Sequence, residues 1–143
     1  MNIGFLGLGK LGLPVSLAVE DKGHKVFGFD ISKQTIDDIK NRKIRYKEEW
    51  VDKYLPNTKL EITDIDNLVK SSEIIFVPIQ TPHDPQYEGV TRIPDKRIDF
   101  DYTYLKSGIK VLSEAIEKNG EDKVVIIIST VLPGTIRSQI KPL

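Results

Sequence analysis

Six residues near the N-terminus have the types and the spacing to hold a diphosphate. They read Gly7-Leu8-Gly9-Lys10-Leu11-Gly12, which is the G-x-G-x-x-G pattern of dinucleotide-binding turns. The first glycine of such a turn allows a tight bend, the second lets the phosphates approach the backbone, and the third lets the helix pack closely on the strand. The helix that begins here directs free N–H groups and the positive end of its dipole at the phosphates. The motif therefore predicts dinucleotide binding.

A single acid indicates which dinucleotide is bound. Asp30 follows the second predicted strand, roughly 20 residues after the glycine motif, where dinucleotide-binding folds place the acid that contacts ribose. Its carboxylate can accept hydrogen bonds from the adenosine ribose hydroxyls, and its charge repels a 2′-phosphate. The sequence therefore predicts NAD as the cofactor rather than NADP. A glycine-rich turn in an unrelated α/β domain is the alternative, and it does not account for the strand, the helix and the acid together.

Two strands and one helix must position these groups. The apolar runs Ile3–Leu6 and Lys25–Phe29 predict buried strands on either side of the helix, and Gly23 suits the helix C-terminus. The residues predicted to form the apolar face of that helix are Leu11, Val15, Ala18 and Val19.

The rest of the chain continues to alternate between strands and helices. Further strands are predicted at Lys59–Ile62, Glu73–Val77 and Val124–Ile128. Helices are predicted to begin at Ser32 and at Thr63 or Asp64. A helix near residue 50 is expected to pack Trp50 and Tyr54 inward. The segment Pro78–Asp99 contains four prolines and predicts a long loop at the carboxyl end of a strand, which is where open α/β sheets bind ligands.

The longest predicted helix follows this loop. Asp99 or Asp101 is expected to cap it, and Asn119-Gly120 ends it. Its apolar positions are Leu105, Ile109, Leu112 and Ile116. The alternation predicts an α/β fold with a Rossmann-type doubly wound parallel sheet. Because no residues remain for the usual sixth strand, we expect residues 1–143 to be an NAD-binding domain truncated before that strand.

Composition limits the remaining classes of function. The chain has 143 residues, 21 basic and 21 acidic side chains, two histidines and no cysteine. A transition-metal site is therefore not expected. Five basic residues within Lys40–Lys47 leave a nucleic-acid patch conceivable, but neighbouring acids dilute the charge and a solvated connector is favoured. No signal peptide and no membrane span is recognisable, and a cytoplasmic protein is expected.

Three motifs on successive strand–helix junctions carry a family resemblance. They are Gly7–Pro14 (GLGKLGLP), Val77–Pro82 (VPIQTP) and Ser129–Thr135 (STVLPGT). In their order and spacing the chain resembles the N-terminal NAD-binding domain of the UDP-glucose/GDP-mannose 6-dehydrogenase family along nearly its whole length. The resemblance implies oxidation of the C6 alcohol of a nucleotide sugar to a carboxylate, by two hydride transfers to NAD through a thioester on a cysteine. It also implies a homodimer for the full-length protein.

The resemblance assigns a role to each matching residue. Thr130 corresponds to the family threonine that helps position the catalytic water, and Asp30 to the acid on the adenosine ribose. Lys33 is a candidate for a basic residue that relatives often have at the position of Thr35. The residues implied to bind the cofactor are Gly7, Leu8, Gly9, Lys10, Leu11, Gly12, Asp30, Lys33, Gln80, Thr81, Pro82, Ser129, Thr130 and Val131.

Two departures from the family pattern bear on activity. Without a cysteine these residues cannot form the covalent intermediate, so we expect the chain alone to bind NAD and not to catalyse. His83 occupies a position where many relatives have a threonine, and a surface-loop histidine is favoured over a cofactor contact. Thr130 is also a plausible helix cap or turn residue, which is compatible with its implied role.

Two alternative functions remain at the level of sequence. A 3-hydroxyacid or phosphogluconate-type dehydrogenase begins with a similar glycine motif, but Asp30 and the Ser129–Thr135 motif argue against it. A non-catalytic NAD-sensing module is the third class, and a downstream cysteine motif would be expected only for an enzyme. UDP-glucose oxidation to UDP-glucuronate is the activity that we predict.

Overall fold

Five parallel strands form one sheet in the computed structural model, which describes residues 1–90, 92 and 94–143. The strands are β1 (Asn2–Leu6), β2 (Lys25–Phe29), β3 (Glu61–Ile62), β4 (Ile74–Val77) and β5 (Val124–Ile127). Their order is β3-β2-β1-β4-β5, and every neighbouring pair is parallel. The chain moves outward from β1 in one direction and then returns to its other side. This confirms the predicted doubly wound α/β fold, with each strand within two residues of its expected bounds.

Helices cover both faces of the sheet. They are α1 (Gly12–Asp21), α2 (Lys33–Lys40), α3 (Glu49–Tyr54), α4 (Ile65–Ser71) and α5 (Thr103–Asn119), and a π-helical segment follows at Ile136–Ile140. Successive residues of β1 point to opposite faces, so Phe5 joins a core cluster with α1 and α3, whereas Leu6 joins a cluster with α4 and α5. Both clusters therefore include residues of β1, the strand that the glycine motif follows.

The rotation of α1 differs from the prediction. Its buried residues are Gly12, Leu13, Ser16 and Leu17, whereas Leu11 and Ala18 of the predicted face are exposed. The Ser16 hydroxyl donates to the carbonyl of Leu13 at 2.7 Å, which satisfies this buried polar group. Val15 and Val19 are half-buried and pack on the core, so the predicted face is confirmed at these two positions and was wrong at Leu11 and Ala18.

The inward residues of α3 also differ from the prediction. Val51 and Leu55 are fully buried there, while Trp50 is 54% exposed. Tyr54 is half-buried and packs on the α1 side, so one of the two predicted aromatic contacts is present. Trp50 instead stacks on Tyr54 with ring centroids 5.9 Å apart, and the Lys53 ammonium lies over both rings.

The long loop and α5 carry the next part of the site. Thr91 and Ile93 of the predicted loop Pro78–Asp99 lie outside the described residues. Leu105, Ile109 and Leu112 are buried in α5 as predicted. The N-cap residue is Tyr102 rather than an aspartate, although the Asp101 carboxylate accepts the N–H of Thr103 at 2.9 Å.

The α4 N-terminus provides a pH-dependent contribution to stability. Asp64 caps it, and hydrogen bonds from the Asn67 N–H and side chain hold the pKa of this carboxylate below its ordinary value of 3.8. The contribution is thus present above that value and is lost as the pH falls through the lowered pKa. Asp64→Asn, which keeps an acceptor, should flatten the dependence of the unfolding free energy on pH between about pH 5 and pH 2. Chemical denaturation across this range tests it.

Asp122→Asn is the matched control because it makes the same charge change at an exposed position with no hydrogen bond among the described residues. Its pH profile should follow that of the unmodified chain. Identical profiles for both variants would contradict the role of Asp64.

Candidate dinucleotide site

The candidate site lies where the strands end. In a parallel sheet all carboxyl ends meet at one edge, so the loops after β1, β2, β4 and β5 are neighbours here. These loops contain the sequence-predicted site residues except Gly12, the first residue of α1, and Lys33, the first residue of α2, whose side chain is exposed. A cleft of about 740 Å³ lies elsewhere, beside Lys25 at the amino end of β2. The convergence of loops, rather than cleft volume, identifies the site.

The glycine turn has the shape that a diphosphate requires. Gly7 has a φ of +114°, and its N–H donates to the Phe29 carbonyl at 2.8 Å. A Cβ on Gly12 would overlap the carbonyl oxygen of Gly7 and lie 2.8 Å from Cγ of Pro78. A Cβ on Gly9 would meet nothing within 4 Å. Gly12 therefore allows close packing of helix on strand, while Gly9 faces open space at which a ligand can approach the backbone.

The beginning of α1 is open to an anion. The N-cap position is Leu11, and among the described residues no side chain caps this end and no acid lies in its first turn. Lys10 and Leu11 are exposed beside it. In the first turn the Leu13 N–H donates to the Gly9 carbonyl at 3.0 Å and Pro14 has no N–H, so the feature that favours a phosphate here is the positive end of the helix dipole without an acid or a side-chain cap.

Asp30 connects the first two loops. One carboxylate oxygen accepts the Leu8 N–H at 2.7 Å and the other accepts the Ser32 N–H at 2.8 Å. Each oxygen retains a second acceptor site, so a ribose hydroxyl can still be bound. The adjacent Ile31 is 86% exposed, which the sequence analysis did not single out. The sequence indicated Ile31 only by placing an apolar residue directly after Asp30.

The loops after β4 and β5 are joined to each other. The Thr81 hydroxyl donates to the carbonyl of Thr130 at 2.7 Å, and the Ser129 hydroxyl donates to the carbonyl of Val77 at 3.1 Å. Gln80, Pro82 and Thr130 are exposed. Val131 is half-buried and packs on the core beneath.

The loop after β4 also contacts the glycine turn and α5. Pro78 and Ile79 approach the position of a Cβ on Gly7 at 3.7 and 3.8 Å. A Cβ on Gly108 of α5 would overlap Cδ1 of Ile79, so the absence of a side chain there makes room for this loop. Asp30, the glycine turn, Pro78, Thr81 and Thr130 thus form one continuous chain of contacts along the sheet edge.

A hydrogen-bonded acid lies at the outer border of these loops. Asp101 donates its N–H to the Pro82 carbonyl at 2.8 Å, and hydrogen bonds from the hydroxyl and N–H of Thr103 lower the pKa of its carboxyl. It is therefore a negative charge at neutral pH. Among the described residues, no group of three or more His, Cys, Asp or Glu side chains is arranged to hold a metal ion.

A doubly wound parallel sheet with this turn, this acid and these loops defines a dinucleotide-binding domain. Comparison with known proteins identifies it further. The sequence pattern of the UDP-glucose/GDP-mannose dehydrogenase family, NAD binding domain, matches residues 1–143. The chain belongs to this family, and its cofactor is NAD.

Individual relatives agree with the family. A UDP-N-acetyl-D-mannosamine dehydrogenase of Pyrococcus horikoshii is 30% identical over 139 residues, which cover 94% of this chain and 30% of the relative. GDP-mannose 6-dehydrogenase of Pseudomonas aeruginosa is 28% identical over 148 residues, covering all of this chain and 31% of the relative. The crystal structure of a ternary complex of GDP-mannose dehydrogenase from the same organism superimposes with a TM-score of 0.84, at 28% identity, over 100% of this chain and 31% of that one. This chain therefore spans about a third of the length of these relatives.

Because the family pattern matches the whole chain, it argues against the alternative of a 3-hydroxyacid or phosphogluconate-type dehydrogenase. In the described residues no helix has the length and apolar character to cross a membrane.

Proposed function

We propose that this chain is the NAD-binding part of a nucleotide-sugar 6-dehydrogenase. The observation that supports it is the continuous chain of contacts from Asp30 through the glycine turn and Pro78 to Thr81 and Thr130. An extended ligand with a diphosphate at its centre fits such an edge. Its adenosine half would lie over β2, and its nicotinamide half would lie over β4 and β5.

The proposal assigns a task to each group of residues. The backbone from Gly7 to Gly12 would hold the diphosphate, with Asp30 on the adenosine ribose and Lys33 beside it. Exposed Ile31 would cover the adenine. When bound, NAD supplies the hydride acceptor for oxidation at C6 of the sugar. The residues proposed for its nicotinamide side are Gln80, Thr81, Pro82, Ser129 and Val131.

Thr130 is proposed to orient water at the reacting carbon. Its hydroxyl can both donate and accept a hydrogen bond without titrating near neutral pH. The Thr81 bond to its carbonyl fixes the backbone while its own side chain is exposed. This leaves the hydroxyl free to rotate toward water, which suits a positioning function.

We propose UDP-glucose as the substrate, with GDP-mannose and UDP-N-acetylmannosamine as competitors because dehydrogenases for these sugars are relatives. The test is an assay of the gene product that carries this sequence, with NAD and each sugar nucleotide in turn, following NADH formation. Two NADH per UDP-glucose would support the full proposal. A preference for another sugar would correct the substrate alone, and NADH binding without turnover of any sugar would favour an NAD-sensing module. Cytoplasmic location and a homodimer of the gene product complete the proposal.

The chain of 143 residues alone should bind NADH and should not oxidise UDP-glucose. It contains no cysteine, so no thiolate is available to form the thioester. Fluorescence titration with NADH and a turnover assay with the isolated chain measure the two properties. Turnover by these residues alone would overturn the proposed requirement for a cysteine outside them.

A further inference from the structure

A buried tyrosine hydroxyl connects the loop after β5 to the start of α5. Tyr102 is only 4% exposed, and its hydroxyl donates to Oδ1 of Asp99 at 2.6 Å. It also accepts the N–H of Leu132 at 3.1 Å and the hydroxyl of Thr135 at 3.3 Å. A phenol has one donor and two acceptor sites, so its hydrogen-bonding capacity is fully used.

Two of the three partners of this hydroxyl, Leu132 and Thr135, lie on the segment that carries Thr130. Leu132, Pro133 and Gly134 are exposed, so packing contributes little to holding them. The segment is instead tied at its start by the Ser129 and Thr81 hydrogen bonds and at its end by Tyr102. Thr135 is itself buried, and within residues 1–90, 92 and 94–143 the only hydrogen-bond partner of its hydroxyl is this tyrosine.

We propose that Tyr102 is a positioning residue for the nicotinamide half of the site. This inference rests on the proposed function, because it assumes that Ser129–Val131 face the cofactor. By fixing Leu132 and Thr135, the hydroxyl holds Thr130 opposite Thr81 in the absence of ligand. Binding then requires no ordering of this loop, which would otherwise weaken affinity.

The test compares the binding of NADH with that of ADP, which lacks the nicotinamide half of the cofactor. Tyr102→Phe removes the hydroxyl alone and keeps the ring, whose centroid lies 6.4 Å from that of the Phe100 ring. The variant should bind NADH roughly five- to tenfold more weakly, the scale of one or two neutral hydrogen bonds. Its affinity for ADP, which reaches only the β1–β2 side, should change less than about twofold. Titration calorimetry with NADH and with ADP gives both values.

Tyr104→Phe is the matched control. Tyr104 lies two residues further along α5, is 48% exposed, and its hydroxyl has no hydrogen-bond partner among the described residues. The control should bind both ligands as the unmodified chain does. Thr135→Val removes the hydroxyl that donates to Tyr102, and it should also weaken the binding of NADH but not of ADP. It provides a second measurement if Tyr102→Phe does not fold.

The outcomes separate this inference from the proposed function. An unmodified chain that binds neither NADH nor ADP would overturn both. If the unmodified chain binds both ligands, equal losses for NADH and ADP, or no loss, in Tyr102→Phe would overturn only the positioning role of Tyr102. A selective loss of NADH affinity in both variants, with none in Tyr104→Phe, would support it.

Discussion

Gly9→Ala should remove most of the affinity for NADH while leaving the fold intact. Gly12→Ala should lower both the affinity for NADH and the stability of the fold. A methyl group on Gly9 meets nothing within 4 Å, and its φ is one that alanine adopts, so the free energy of unfolding should change by less than about 0.5 kcal/mol. The same methyl group would occupy the space through which the diphosphate reaches the backbone. Losing one or two hydrogen bonds to a charged group weakens binding roughly 10- to 100-fold or more.

Gly12→Ala provides the contrast. Its methyl group would overlap the Gly7 carbonyl oxygen and press on Pro78, so the helix must move away from the strand. Overpacking of this kind costs about 1–3 kcal/mol of stability. Thermal unfolding and NADH titration of the two variants give the comparison. Wild-type affinity in Gly9→Ala would show that the diphosphate does not approach this turn.

The two glycines also show why the sequence located only part of the inward face of α1, at Val15 and Val19. The helix has apolar residues on almost every side, so periodicity selects no face. Its rotation is consistent instead with the close packing of Gly12 against the Gly7 carbonyl and Pro78, which leaves no room for a side chain. Leu13, Ser16 and Leu17 share that side and are buried. The third glycine of the motif therefore contained the information that the apolar pattern lacked.

For α3 and for part of the site, too, the sequence pattern alone was not enough to predict which side chains face inward or meet. A helix of six residues has one inward row, and Val51 with Leu55, the residue directly after α3, fills it, which leaves Trp50 outside. The doubly wound parallel sheet was predictable because strand, glycine turn, helix and acid constrain one another over a short stretch. Tyr102 was not, because its partners Leu132 and Thr135 are some 30 residues away in the sequence and only the fold brings them together.

Asp30→Asn should weaken NADH binding by about 1–3 kcal/mol, or roughly 5- to 150-fold, and should narrow the preference for NADH over NADPH. The unmodified carboxylate can accept a ribose hydroxyl and repels a 2′-phosphate, so affinity for NADPH should be lower than for NADH. The amide keeps one oxygen but replaces the other by an NH₂ group, which cannot accept the N–H of Leu8 or Ser32. Part of the loss therefore comes from the glycine turn itself, and the remainder comes from the ribose.

Asp37→Asn separates the specific effect of Asp30 from a general change in charge. Asp37 lies on α2, and its side chain makes no hydrogen bond among the described residues, so the variant should retain both affinities. Fluorescence titration of each variant with NADH and NADPH yields the preference as a ratio. Because the loosened glycine turn weakens the binding of both cofactors alike, a change in that ratio reports the contact of Asp30 with the adenosine ribose: the lost hydrogen bond to its hydroxyl and the lost repulsion of a 2′-phosphate. A chain that binds NADH and NADPH equally, or an Asp30→Asn variant with an unchanged ratio, would show that this carboxylate does not face the ribose.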